Sequence, residues 1–314
     1  MNEQWKKSVI HLECATDSVS ITEREKRTEE LFESLNDGDI SDDDFFQRLS
    51  LGTRDVRFHG TAIFISHKEK RYLLTARHVL FDELSAARDF ENGIRNEKDQ
   101  CKIFKIIFRV PSFDELLASG TSNSKTFLMN LGAGVHSNHP YTFSSPDIDL
   151  AIISLDQKNS DFADELIKLG YSPIPSYLIH DEPSSEGADV FTVGYPSSTA
   201  LIFQLVQDSS LRCWSSSYQS LPIYSWGKVA MLNPNLSFYW CDMSIYPGNS
   251  GGPVIEDGKL VGIVSAQAVL PVDQAPQITT RIPFAKIIKT SFVNALIEEQ
   301  EAKDQRRKEL SAGL

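Results

Sequence analysis

Residues 247–253 read PGNSGGP, in which one serine stands among glycines. A serine hydroxyl is an effective nucleophile only where a base takes its proton and N–H donors hold the oxyanion that forms. The glycines allow a tight turn that exposes the hydroxyl and lets an acyl group approach the main chain. The pattern predicts Ser250 as the nucleophile and the N–H groups of Gly248 and Ser250 as an oxyanion hole. A glycine-rich hairpin loop without chemistry is the alternative.

A histidine that can serve as the base lies upstream in LLTARHV, residues 73–79. The base must titrate near neutral pH, which favours histidine, and His78 follows an apolar strand pattern. A structural histidine at a strand end is the alternative. Two of the other histidines are three residues apart but have no evident third ligand, so we expect no metal site. The histidines interpreted as lying in turn-like or polar stretches are His59, His67, His136, His139 and His180.

A carboxylate that can orient this histidine opens the strand pattern DIDLAII, residues 147–153. A buried carboxylate in this role fixes the tautomer of the base and stabilises the imidazolium. Asp149 lies directly before the apolar run, at the expected edge of the core. Asp147 lies two residues earlier, on the same side of an extended chain, and can compete for the role. The residues alone leave both candidates open.

Composition limits the classes of partner and location. The 314 residues, 41% hydrophobic and 24% charged, are ordinary for a globular protein with a sizeable core. A net charge of −12 argues against nucleic acid or an anionic membrane as the main partner. The sequence contains no apolar run of about 18 residues and no apolar signal-peptide core at its start. Because the four cysteines form no C-x-x-C pair and few candidate disulfides, we expect a cytoplasmic protein.

Strand and helix patterns divide the chain. From residue 58 onward, short strand patterns alternate with glycine, proline and serine turns, which predicts an all-β sandwich or barrel. Residues 16–50 form an acidic insert of net charge −7 with two helical patterns, preceded by the caps Thr22 and Ser41. This insert is either a solvated surface hairpin or a docking element for a basic protein partner. Apolar residues at helical spacing after residue 283 predict a C-terminal helix with a polar tail.

The three motifs together resemble the trypsin/chymotrypsin-like serine peptidases, and the HtrA-like bacterial branch in particular. The order of histidine, aspartate and serine matches, as does the T-A-x-H block at residues 75–78. The family's D-[LI]-A-[VIL]-[IL] strand matches residues 149–153, and this match singles out Asp149. Its P-G-N-S-G-G-P and G-I-V-S blocks match residues 247–253 and 262–265.

The resemblance implies two six-stranded antiparallel β-barrels, in residues 1–158 and 159–283, followed by a helix and polar tail in 284–314. The long interval between His78 and Asp149 predicts an insertion within residues 82–138, and no PDZ module is expected after the peptidase. In the cleft between the barrels, Ser250 would attack a protein or peptide substrate, His78 would act as base and Asp149 would orient it.

By the same resemblance, no cofactor is needed, Ser265 and Gln267 line the substrate strand, and Ser244 lies at the bottom of the primary pocket. The residue before the scissile bond is then expected to be uncharged and small to medium in size. One alternative is a catalytically silent trypsin-like fold that binds a protein partner. An α/β-hydrolase is disfavoured because its histidine follows the serine, whereas the last histidine here is His180.

Overall fold

The computed structural model describes residues 2–17, 21–50, 54–81, 91, 105–110, 125–129, 140–156, 160–197, 201–204, 218–273 and 275–312. Strands dominate these residues. The strands are β1 Val9–Asp17, β2 Arg54–His67, β3 Lys70–Ala76, β4 Lys105–Val110, β5 Lys125–Met129, β6 Tyr141–Phe143, β7 Leu150–Ser154, β8 Ile174–Pro175, β9 Asp189–Gly194, β10 Leu201–Gln204, β11 Tyr218–Ser220, β12 Ile223–Met231, β13 Phe238–Met243, β14 Pro253–Glu256, β15 Lys259–Val272 and β16 Ala275–Lys289. The α-helices are α1 Asn2–Lys6, α2 Ile21–Asn36, α3 Asp42–Ser50, α4 Arg77–Leu80, α5 Ser160–Lys168 and α6 Val293–Ala312.

Two sheets carry the site, and with helix α6 they confirm the all-β class with a C-terminal helix. The helix begins at Val293 and not at residue 284, because residues 284–289 pair with β13 and β15 as the end of β16. The second sheet, formed by strands of the C-terminal half, is a closed barrel of six strands in the order β12-β13-β16-β15-β14-β9. The first sheet, formed by strands of the N-terminal half, has the order β5-β4-β1-β2-β3-β7-β6, and β8 pairs with β2 in parallel. It therefore has eight strands where six were expected, because β4 and β5 extend it beyond β1 and β8 adds a short bridge. The insertion predicted within residues 82–138 falls largely outside the described residues.

A shared core joins the two sheets and fixes the cleft between them. Alternation along the first strands sends Leu12 and Phe64 to a core inside the first half, whereas Ile63 and Leu74 point the other way. The second group packs with residues of the other sheet, among them Ile263, in one buried cluster. Each such side chain contributes about 1.5–3 kcal/mol by leaving water, so the two halves are held as one unit.

Helix α6 fastens the C-terminal end of the chain to the first sheet. Its first turns bury Leu296 and Ile297 in the shared core. Further along, Gln300 accepts a hydrogen bond from Thr142 at 2.8 Å, and Asp304 accepts one from Ser154 at 2.9 Å. Among the described residues, no helix is long and apolar enough to cross a membrane.

Two helices, α2 and α3, occupy most of the acidic segment between β1 and β2. Ser41 caps α3 by accepting a hydrogen bond from the N–H of Asp44 at 3.1 Å. An edge-to-face contact between Phe32 and Phe45, with centroids 6.0 Å apart, joins the two helices. The bounds are narrower than residues 16–50 at the start, since β1 continues to Asp17 and α2 begins at Ile21.

Candidate active site

Pairing of β3 with β7 brings the candidate base and its carboxylate together. Ala76 lies opposite Leu150 in this pair. His78, which follows Ala76 by two residues, therefore lies close to Asp149, which directly precedes Leu150. His78 lies in α4, and its Nδ1 is 2.9 Å from Oδ2 and 3.1 Å from Oδ1 of Asp149. The backbone N–H of His78 also donates to Asp149 Oδ1 at 3.0 Å. The carboxylate therefore holds both the ring and the main chain of the histidine.

The backbone at Asp149 is in the left-handed region, with φ of +52°. Aspartate tolerates this conformation better than most residues, but it is uncommon and occurs most often at functional sites. The turn aims the Asp149 side chain at His78, while Asp147 is exposed to solvent. Of the two candidates left open by the residues, the structure brings Asp149 to the histidine.

A third donor completes the environment of this carboxylate. The Ser265 hydroxyl donates to Asp149 Oδ2 at 2.6 Å, across the boundary between the two sheets. Burial of Asp149 would raise its pKa, but the hydrogen bonds and positive charge of His78 and the hydrogen bond from Ser265 outweigh it. The pKa of Asp149 consequently lies below its ordinary value. The carboxylate is thus ionised, and its charge is available to stabilise a protonated His78.

The glycine loop before β14 is anchored to the first sheet through Thr61. The N–H of Thr61 donates to the carbonyl of Ser250, and its hydroxyl donates to the carbonyl of Gly248, both at 2.8 Å. Gly248 has φ of +100°, and a Cβ built there would lie 2.1 Å from the carbonyl oxygen of Tyr195. Only glycine satisfies both conditions at this position.

The loop leaves two N–H donors for a ligand. Among the described residues, the N–H groups of Gly248 and Ser250 donate no hydrogen bond, so both are available to an acceptor on a ligand. The Ser250 hydroxyl donates to the carbonyl of Ser265 at 3.2 Å, and within the described part of the chain it does not bond to His78. Contact with the histidine would require this hydroxyl to rotate, and catalytic hydrogen bonds are often long in structures without a ligand.

An open cleft of about 420 Å³ surrounds these groups. Of the predicted substrate-binding residues, Ser265 and Gln267 line it, whereas Ser244 is exposed and is not part of the described lining. The amide of Gln267 donates to the carbonyl of Ile282 at 3.1 Å, which holds it against β16. The lining residues are His59, His78, Ser197, Ile245, Tyr246, Pro247, Gly248, Ser250, Ser265, Ala266, Gln267, Val269 and Arg281.

Two charged or titratable residues of the cleft were not predicted from the sequence. Arg281 reaches it from β16, and it forms no ion pair with any residue that the structure describes. His59 reaches it from β2, directly before Gly60. A histidine in a polar stretch carries no signal by itself. His11 and Glu13 alternate on β1, but this pattern indicates a neighbour for His59 only when the register of β1 against β2, which places Glu13 opposite His59, is known.

Comparisons with known proteins agree with this fold. Residues 60–263, more than half of the chain, match the family described as trypsin-like peptidase domain, and the chain therefore belongs to that family. No curated protein sequence shows a significant match.

Three of the solved structures to which the chain is similar share little sequence with it. The protease Anisep from Arthrobacter nicotinovorans is 12% identical with a TM-score of 0.46, covering 94% of this chain and 96% of its own. A Glu endopeptidase is 14% identical with a TM-score of 0.42, covering 79% and 86%. Human heparin binding protein is 11% identical with a TM-score of 0.42, covering 76% and 86%. At these identities the likeness describes the fold alone.

Proposed function

We propose that this protein is a serine endopeptidase with His78, Asp149 and Ser250 as its triad. The observation that carries the proposal is the hydrogen-bonded chain from Ser265 through Asp149 to His78, at the edge of a cleft that also contains Ser250. Its members come from both sheets, so only the folded protein assembles it. Membership of the trypsin-like peptidase domain family supports this proposal.

In the proposed reaction, the Ser250 hydroxyl attacks the carbonyl carbon of the scissile peptide bond while His78 Nε2 takes its proton. The N–H groups of Gly248 and Ser250 hold the oxygen that becomes negative. His78 then gives the proton to the departing amine, leaving an ester on Ser250, which water hydrolyses with His78 as base again. Asp149 keeps Nδ1 protonated throughout, since it accepts that hydrogen bond.

A catalytically silent binding module is the alternative within the same fold. It would have no need for an ionised Asp149 held by two side-chain donors, nor for two N–H groups left open beside Ser250. We also propose that the chain is close to the HtrA-like branch, which rests on the PGNSGGP and GIVS blocks. A cytoplasmic location and a basic protein partner for the α2–α3 segment are further proposals, the latter resting on its acidic charge.

The lining of the cleft supports an uncharged residue of small to medium size before the scissile bond. Gln267 and Tyr246 line the same cleft as Ser250, and the described lining contains no carboxylate to pair with arginine or lysine. The preference therefore rests on these lining residues and not on Ser244, which is exposed. Arg281 adds a preference for an acidic side chain elsewhere in the peptide, because it is a cation without an ion-pair partner in the described structure.

Cleavage of a proteome-derived peptide library by the wild type and by Ser250→Ala tests the function and the specificity together. We expect cleavage by the wild type alone, with uncharged residues before the cut and acidic residues enriched nearby. Equal cleavage by the two proteins would refute the proposed nucleophile. A dominant arginine or lysine before the cut would refute the specificity but not the function.

A further inference from the structure

Three ligand-type side chains meet on one face of the β1–β2 pair, outside the triad. His11 and Glu13 are two residues apart on β1 and therefore point to the same side of the sheet. Glu13 lies directly opposite His59 on β2. The ligand atoms of the three side chains all lie within 4.8 Å of one another, and the other face of these strands packs into the core of the first half.

We propose that His11, Glu13 and His59 form a binding site for a divalent transition metal ion, with Zn²⁺ the best fit. Imidazole nitrogen and carboxylate oxygen are ligands that zinc accepts, and three protein ligands with one open position are typical of its reactive or exchangeable sites. Two ligands alternating on one strand, with the third on its neighbour, are geometrically suited to a tetrahedral ion.

The observed spacing fits this ion. With Zn–N bonds of about 2.0–2.1 Å, two ligand nitrogens of a tetrahedral site lie about 3.3 Å apart. His59 Nδ1 and His11 Nε2 are 3.3 Å apart. Glu13 Oε1 is 3.7 Å from the other nitrogen of His11, and one ligand atom from each of the three side chains lies within 4.8 Å of the others, so side-chain rotation would have to bring the carboxylate to bonding distance.

Burial adds an electrostatic reason for a cation. Glu13 is fully buried and His11 is 2% exposed, and positive charge nearby stabilises a carboxylate in such surroundings. A divalent ion bound by one carboxylate and two neutral imidazoles supplies that charge. The ring of His11 is also held in place by stacking on Tyr195, with centroids 5.0 Å apart, so one ligand is already positioned.

The site opens toward the substrate. His59 is half-buried and lines the same cleft as His78 and Ser250, whereas the other two ligands are buried behind it. An ion held by His59 would therefore be reached from the cleft. An ion and its water molecule there would share space with a bound peptide, so Zn²⁺ should lower the proposed peptidase activity; this consequence alone rests on the proposed function.

Binding is tested without activity by titrating Zn²⁺ against a chromophoric chelator in a His78→Gln background, which removes the triad histidine as a ligand. We expect one saturable site, weakened at least about 10-fold by His59→Gln and by Glu13→Gln. His67→Gln is the matched control, since it changes a half-buried histidine at the far end of the same strand. Circular dichroism checks that each variant is folded.

Absence of saturable Zn²⁺ binding, or binding unchanged in both ligand variants, would overturn the proposed site. The three side chains would then be held together by hydrogen bonds and ion pairs, without a metal ion. In the otherwise unmodified protein, inhibition by Zn²⁺ should be relieved by His59→Gln and not by His67→Gln. Binding without inhibition would refute the link to the cleft, while inhibition that persists in His59→Gln would place the inhibitory ion elsewhere.

Discussion

Replacing Asp149 by asparagine removes one charge while keeping the size of the side chain. The carboxylate now accepts hydrogen bonds from the main chain of His78, from its Nδ1 and from the Ser265 hydroxyl. An amide offers one oxygen and one NH₂ group in the same space. If the NH₂ group faces Nδ1, that nitrogen becomes the acceptor, and the ring proton moves to Nε2. In that tautomer His78 cannot take the proton of Ser250.

The expected loss in rate follows from these contacts. A hydrogen bond to a charged group contributes about 1.5–3 kcal/mol, and two side-chain donors, His78 and Ser265, depend on this charge. Together they amount to about 3–6 kcal/mol. Loss of the same role in a Ser-His-Asp triad lowers kcat by about 10⁴, which corresponds to about 5.5 kcal/mol. We therefore expect a fall in kcat between about 10² and 10⁴ with little change in KM, since Asp149 does not line the cleft.

Asp147→Asn is the matched control, because it makes the same chemical change two residues away at an exposed position. Both variants would be assayed by hydrolysis of a fluorogenic peptide chosen from the library profile, with circular dichroism to verify folding. The control should retain kcat within about 2-fold, as expected for an exposed group without a catalytic contact. A folded Asp149→Asn that retains kcat within about 10-fold, or an equal loss in Asp147→Asn, would refute the reasoning.

Three further predictions concern the same region. In thermal unfolding, Gly251→Ala should lower Tm much more than Gly187→Ala does. Both glycines have positive φ, but only at Gly251 would a Cβ lie 2.1 Å from the carbonyl oxygen of Thr61. Equal losses in Tm would exclude this clash as the cause. Arg281→Glu should remove the enrichment of acidic residues in cleavage profiles, and an unchanged profile would contradict its role. Because the pKa of Asp149 is depressed by folding, its stabilisation is present above about pH 4 and is lost as pH falls further. Denaturant midpoints should fall more steeply there for wild type than for Asp149→Asn, and parallel curves would contradict it.

Much of the fold and of the candidate site could be predicted because the chemistry constrains short stretches of sequence. The loop around Ser250 needs glycine at strained positions, and these glycines mark it in the sequence. The strand after Asp149 is apolar because it is buried on both faces, which marks its edge. Asp149 was chosen over Asp147 because of the family resemblance. In the structure, the left-handed backbone at Asp149 directs its side chain to His78, and the alternation of residues along a strand does not reveal such a turn.

The remaining features depend on register and on contacts between distant segments. Arg281 reaches the cleft because β15 and β16 continue as a long pair beyond the barrel, with Val269 opposite it. Ser244 was placed by counting residues back from Ser250, but the chain between them alternates, so that Ile245 is buried and Ser244 is exposed. The eighth strand of the first sheet is the two-residue β8, which is too short to produce a pattern.

The most direct measurement of the central claim is the intact mass of the protein after reaction with a fluorophosphonate, followed by peptide mapping of the adduct. This reagent forms a stable bond only with a serine whose proton is taken by a nearby base and whose oxyanion is held. We predict one adduct per chain, located on Ser250, absent in Ser250→Ala and much slower to form in Asp149→Asn. A folded wild-type protein that forms no adduct, or an adduct that persists in Ser250→Ala, would contradict it.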